Sequence, residues 1–142
     1  MALDKLYHQL VLDHNRAPHN FGSLPGATHA ARGRDALCGD DILVELIVDG
    51  DRVERAAFSG EACAITTASA SMLTEWLIGR SVSEFEYAFE QFEQVMTNPD
   101  EPPCPELGEI NELSAVSAFP ARVRNALLPW RTAVRALSSP ED

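Results

Sequence analysis

Ile42-Leu43-Val44-Glu45-Leu46-Ile47-Val48 has the composition of a strand, and Asp49-Gly50 follows with the residues a tight reversal needs before Arg52-Val53-Glu54-Arg55-Ala56-Ala57-Phe58 returns. This hairpin decides the fold, because the segments that follow it read as helix or loop. Leu37-Cys38-Gly39-Asp40-Asp41 stands immediately before it and Ser59-Gly60-Glu61-Ala62-Cys63 immediately after. Strands of about nine and seven residues joined by a tight turn bring the chain back to its starting end. Cys38 and Cys63, 25 positions apart, are therefore expected as spatial neighbours.

Downstream, residues 63–77 place Ile65, Ser69, Met72, Leu73, Trp76 and Leu77 on one helical stripe, with Gly79 where a C-cap glycine belongs. Ser81-Val82-Ser83-Glu84 reads as a capping box opening a helix through Phe85, Phe89, Phe92 and Met96, which Asn98-Pro99 ends. Residues 100–105 hold three prolines and Cys104 and read as an exposed loop. A short helix is expected over 106–116. Pro120 opens a last helix whose stripe is Val123, Leu127, Trp130, Val134 and Leu137; Pro129 inside it removes the backbone bond to the Asn125 carbonyl.

Upstream, Leu3, Leu6, Leu10 and Val11 repeat at helical spacing over the first fifteen residues, and 20–36 reads as a loop with one edge strand near 27–32. The order is helix, two or three adjacent strands, then helices only, which is the α+β pattern of a small antiparallel sheet with helices packed on one face. At 142 residues, with no repeat or linker, one domain over 1–142 is expected.

The composition is 45% apolar and 23% charged, which argues against disorder. The longest uncharged apolar stretch, 62–74, is too short and too rich in Ser and Thr to span about 30 Å of hydrocarbon. The first residues lack a signal-peptide core, so the cytoplasm is the expected location. A net charge of -11 disfavours nucleic acid and anionic lipid as partners. The charges are segregated: 81–121 holds nine acids and no base, whereas 122–135 holds four arginines and no acid. This reads first as a solvated acidic helical face beside a basic final helix, and in the alternative as a docking surface for a charged protein partner.

Three cysteines in a chain read as cytoplasmic point to thiols or metal ligands rather than a disulfide framework. At the start of a helix, the partial positive charge and free N–H groups at Cys63 favour a thiolate, as a metal ligand or sulfur nucleophile requires. Asp40 adds a hard oxygen to the two soft sulfurs, a set compatible with zinc or iron but one ligand short of a closed shell. His8, His14, His19 and His29 read as surface or capping residues, and Cys104 as an exposed thiol. A zinc hydrolase would need a general base and an open water position, and no motif such as H-E-x-x-H supplies them.

Cys38-Gly39-Asp40, the hairpin, Gly60-Glu61-Ala62-Cys63-Ala64-Ile65, Ala68-Ser69-Ala70-Ser71-Met72-Leu73-Thr74 and Phe119-Pro120-Ala121-Arg122-Val123 together resemble the NifU-like family of iron-sulfur cluster assembly proteins, the IscU and SufU scaffolds. Leu6-Tyr7, Asp13-His14 and Pro18-His19-Asn20 are similar to that family's opening helix, and the long acidic insert before Phe119 is closer to the SufU branch. The resemblance implies an antiparallel three-stranded sheet. It also implies a scaffold, or a persulfide acceptor working with a cysteine desulfurase, rather than an enzyme with a small-molecule product. Zinc, iron or an iron-sulfur cluster would sit at Cys38, Asp40 and Cys63, and iron-sulfur apo-proteins or other assembly factors would be further partners. By the same alignment the third metal-site cysteine falls on Asn125. An amide is a poor substitute for a thiolate, so weak or absent metal and a non-metal adaptor of the desulfurase form the alternative. Cys38, on its flexible Gly turn, is then the expected sulfur acceptor.

Overall fold

Gly50 adopts φ 64° and Asp49 pairs with Arg52 across it, so the hairpin forms where the sequence puts it. The computed structural model describes residues 2–138, with side chains from residue 5 onward, so the Leu3 position of the first stripe lies outside the described side chains. The elements in order are α1 (Ala2–Arg16), β1 (His29–Asp35), β2 (Asp40–Asp49), β3 (Arg52–Glu61), α2 (Ala64–Leu77), α3 (Val82–Thr97), a 3-10 segment (Pro105–Val116) and α4 (Pro120–Ser138). The sheet is antiparallel with strand order β1-β2-β3. Along β2 the residues alternate, and Asp40, Ile42, Val44 and Leu46 form the buried row. Asp40, at the start of that row, is its one polar member.

Against this face packs α2, and it is buried on more than the single expected stripe. Thr66, Ala68, Ser69, Ala70, Ser71 and Thr74 are buried along with Met72, Leu73 and Leu77. The reason lies in side-chain size: these small residues let α1, α4 and β3 all approach the same helix. Ser69 donates its hydroxyl proton to the Ala126 carbonyl of α4 at 2.5 Å. The capping box at Ser81 forms as predicted, with Glu84 N–H on the Ser81 hydroxyl and Ser81 N–H on the Glu84 carboxylate. Phe85, Phe92 and Trp130 then stack where α3 meets α4.

The edge strand runs from His29 to Asp35 rather than near 27–32. Gly33 reads as a loop residue in the sequence, but here it is a point of close approach. A Cβ at that position would fall 2.0 Å from Thr132 Oγ1 and 3.3 Å from Leu128 Cδ1 of α4. With α4 drawn in, Arg135 donates to the Arg32 carbonyl at 2.5 Å, occupying a backbone group on the strand's outer edge. The expected short helix over 106–116 is a 3-10 segment instead, kinked at Gly108 (φ 54°, ψ -128°). No helix among the described residues is long and apolar enough to cross a membrane.

Gly33→Ala should destabilise the protein by about 1–3 kcal/mol, the usual cost of overpacking. Adding Thr132→Ala should recover part of that loss, and denaturant midpoints of the single and double variants measure both.

Candidate functional site

Asp40 opens β2 with its side chain inward and only 2% exposed, so its carboxylate must find its partners within the protein. The first is supplied by α2: Cys63 is the N-cap residue, and its backbone N–H donates to Asp40 Oδ1 at 2.8 Å. Thr66, three residues into the same helix start, donates to Oδ2 at 2.6 Å. Asn125 of α4 donates its Nδ2 amide proton to the same oxygen at 2.9 Å. Since a carboxylate only accepts, this contact sets the amide orientation and leaves Asn125 Oδ1 facing the Cys38 sulfur at 3.7 Å.

Cys63 Sγ lies 3.8 Å from Asp40 Oδ2 and 3.2 Å from Thr66 Oγ1. Each thiol is thus within 4 Å of one member of the hydrogen-bonded Asp40–Asn125 pair, Cys63 of the carboxylate and Cys38 of the amide. The environment of Cys63 differs from the expectation in one respect. Of the helix-start donors expected to favour a thiolate there, the Cys63 N–H is taken by Asp40, and Cys63 Sγ faces a carboxylate and a hydroxyl. Pro129 accounts for a further contact. It cannot donate to the Asn125 carbonyl, and Thr66 Oγ1 lies 3.3 Å from that oxygen.

Cys38 belongs to the 36–39 loop between β1 and β2, and it is exposed. Asp35 organises this loop: its Oδ1 accepts the Leu37 N–H at 3.0 Å and its carbonyl accepts the Cys38 N–H at 3.2 Å. Gly39 closes the loop at φ 73°. The other carboxylate oxygen of Asp35 takes Arg124 Nε at 2.9 Å, and the Arg124 guanidinium also faces the Cys38 sulfur. The Arg124 contact is the main reason the Asp35 carboxyl titrates below the ordinary aspartate range.

Cys104 is buried rather than exposed, at 6%. Asn111 bridges the proline-rich loop by accepting the Cys104 N–H and donating to the Cys104 carbonyl, which draws the loop onto the core. Burial pushes the Cys104 thiol up, and its sulfur contacts Glu106. The histidines hydrogen-bond elsewhere. His14 is buried between Ser71 and Glu109, His19 pairs with Glu75 and stacks on His14, and His29 meets Thr28. Among the described residues, no three His, Cys, Asp or Glu side chains stand together as a ready metal-ligand group.

Sequence spacing did not single out Thr66, Asp35 or the Asn125–Asp40 bond. Thr66 had a local signal, a hydroxyl at the third position of a helix whose cap is Cys63. The Asn125–Asp40 and Asp35–Arg124 contacts span 85 and 89 positions and have no signature in a single sequence.

The NifU-like N terminal domain family matches residues 6–126. An iron-sulfur cluster assembly scaffold protein IscU of Streptococcus pyogenes serotype M1 is 36% identical, over 96% of this chain and 87% of its own. A zinc-dependent sulfurtransferase SufU of Bacillus subtilis is 35% identical, over 98% of this chain and 94% of its own. A crystal structure described as an iron-sulfur cluster assembly scaffold for the SUF system, from Fervidobacterium islandicum AW-1, superposes with TM-score 0.84. It is 30% identical and covers 94% of this chain and 97% of that one.

The Asp35 carboxyl titrates lower in the folded protein than in the unfolded chain. Its contribution to stability is therefore complete above the ordinary value of 3.8 and is lost as pH falls through the lower, folded value. Asp35→Asn should be less stable than the parent at neutral pH, with the gap closing only on the acid side of that value. Denaturant titrations at a series of pH values give the curve.

Proposed function

Because the chain belongs to the NifU-like N-terminal domain family, we propose that it serves iron-sulfur cluster biogenesis as a sulfur acceptor, receiving persulfide sulfur from a cysteine desulfurase onto Cys38. The observation that carries this reading is an exposed thiol on a loop shaped by Asp35, whose second carboxylate oxygen holds the Arg124 guanidinium at that loop. In the transfer, the Cys38 thiolate attacks the outer sulfur of the donor persulfide. A new S–S bond forms at Cys38, the donor S–S bond breaks, and the donor cysteine leaves as a thiolate. No external oxidant or reductant is needed. The product is an anionic persulfide, which Arg124 favours by its charge. Cys63 stands beside the Asp40 carboxylate instead, where a second anion is repelled. That contrast assigns acceptance to Cys38 and leaves Cys63 as the second thiol for relay or ligation.

The second reading is a metal site at Cys38, Asp40 and Cys63, supported by the contact of Cys63 with Asp40 and by the zinc-dependent and scaffold relatives. The donor chemistry weighs against a resident zinc. A structural zinc takes four N, S or carboxylate ligands in a tetrahedron, whereas here the third thiolate is an amide. Asp40 already accepts from Cys63, Thr66 and Asn125, so coordination by it would require giving up at least one of those bonds. Accordingly no step of the transfer is routed through a metal. Iron or a cluster, where assembled, is cargo handled with further assembly factors or apo-proteins.

Cys38→Ser should abolish persulfide formation after incubation with a desulfurase and L-cysteine, while Cys63→Ser retains it; mass analysis of the intact chain distinguishes them, and a persulfide on the Cys38→Ser chain contradicts the assignment. Asn125→Cys, which restores a third thiolate and frees one lone pair of Asp40, should raise zinc from substoichiometric to stoichiometric after anaerobic purification. Elemental analysis checks it.

A further inference from the structure

Two residues before Cys38 the chain lines a cleft of about 340 Å³, formed by Arg34, Asp35 and Ala36 from the sheet side and Arg124, Leu128 and Arg131 from α4. The chain carries a net charge of -11, yet three of its ten arginines, Arg34, Arg124 and Arg131, line this cleft, and Arg135 lies further along α4, where it donates to the Arg32 backbone carbonyl. Asp35 is the acid in that lining, so the cleft holds more cations than anions. The ties on Arg34 and Arg131 are loose. Arg34 meets Asp41 at 3.5 Å and Arg131 meets Glu93 at 3.5 Å, and all four side chains are at least 40% exposed. Exposed pairs of this kind are worth about 1 kcal/mol or less, so an incoming carboxylate exchanges with them at little cost. Arg124 is different, being tied to Asp35 and facing Cys38. Beside the cleft Leu37 is 85% exposed, an apolar side chain next to a charged groove, which is the composition of an interface anchor with arginine around it.

Resting on the reading that Cys38 receives sulfur from a protein, we infer that this cleft is the docking site for an acidic segment of that donor, with Arg34 and Arg131 receiving its carboxylates and Leu37 seated against an apolar neighbour. The geometry matches an extended segment. Arg124 and Arg131 are two helical turns apart, about 10 Å along α4, a span that an extended chain covers in about three residues. Orientation follows from the surrounding charge. Outside the cleft acids outnumber bases by more than two to one, so a carboxylate-rich partner is steered toward the face that carries Cys38. The same acidic surface disfavours a nucleic acid here.

The test is charge reversal at Arg34 and Arg131, whose guanidinium groups meet Asp41 and Glu93 rather than either thiol. For Arg34→Glu/Arg131→Glu, affinity for the cysteine desulfurase of the same organism should fall about tenfold or more at low salt and converge with the parent at high salt. Sulfur transfer at subsaturating desulfurase should fall in parallel, while alkylation of Cys38 by iodoacetamide and its loading from inorganic polysulfide stay at parental rates. Arg34→Gln/Arg131→Gln should give an intermediate loss and serves as the readout if the reversed pair does not fold. Parental affinity and salt dependence in the variants overturn the inference. A parent that binds the desulfurase in this salt-dependent, arginine-dependent way yet accepts no sulfur overturns the function and leaves the cleft. A parent that does not bind overturns both.

Discussion

A carboxylate taken out of water at the end of an apolar strand row is tolerated only if its oxygens find donors, and Asp40 finds them on two separate elements. Cys63 N–H and Thr66 O–H come from the start of α2, and the Asn125 amide comes from α4. The carboxylate therefore joins β2 to both helices that pack on the sheet. Removing it would strand several buried donors, each costing about 1–3 kcal/mol when unsatisfied. Both thiols take their positions from this joint: Cys63 by capping α2 beside Asp40, and Cys38 by lying against the far end of the Asn125 side chain.

A second, smaller joint fixes how Cys38 is presented. Asp35 shapes the loop through its backbone and one carboxylate oxygen and holds Arg124 with the other. The Cys38 thiol is thus exposed but not unconstrained, on a loop that holds Arg124 and with the Asn125 amide oxygen at 3.7 Å. The charge pattern extends outward from there, since Arg34, Arg124 and Arg131 line the cleft that Asp35 and Ala36 border. Position 125 links the two joints, and with asparagine there the cluster satisfies its polar groups by hydrogen bonds alone.

Much of this was legible before any coordinates. Strand composition and Asp49-Gly50 signalled the hairpin, and the hairpin put Cys38 and Cys63 at its open end, where each meets one member of the Asp40–Asn125 pair. The capping box at Ser81 and the stripe at Val123, Leu127 and Trp130 carried α3 and α4. Elements were misread where a residue's local signal and its tertiary role diverge. Gly33 looks like a loop glycine, but it serves a strand pressed by a helix. Cys104 sits among prolines, as exposed loops do, yet Asn111 pulls it inward. The all-round burial of α2 was hidden because Ala, Ser and Thr carry little hydrophobic signal, although they are what allows three neighbours to approach.

The proposed metal-independent transfer is tested most directly by one experiment on the unaltered protein: persulfide loading from a desulfurase and L-cysteine, with and without a strong zinc chelator, on material whose zinc content has been measured. Full loading of Cys38 at substoichiometric zinc, unchanged by the chelator, is the result expected. One zinc per chain, with loading that disappears when the zinc is stripped and returns when it is restored, would contradict the account.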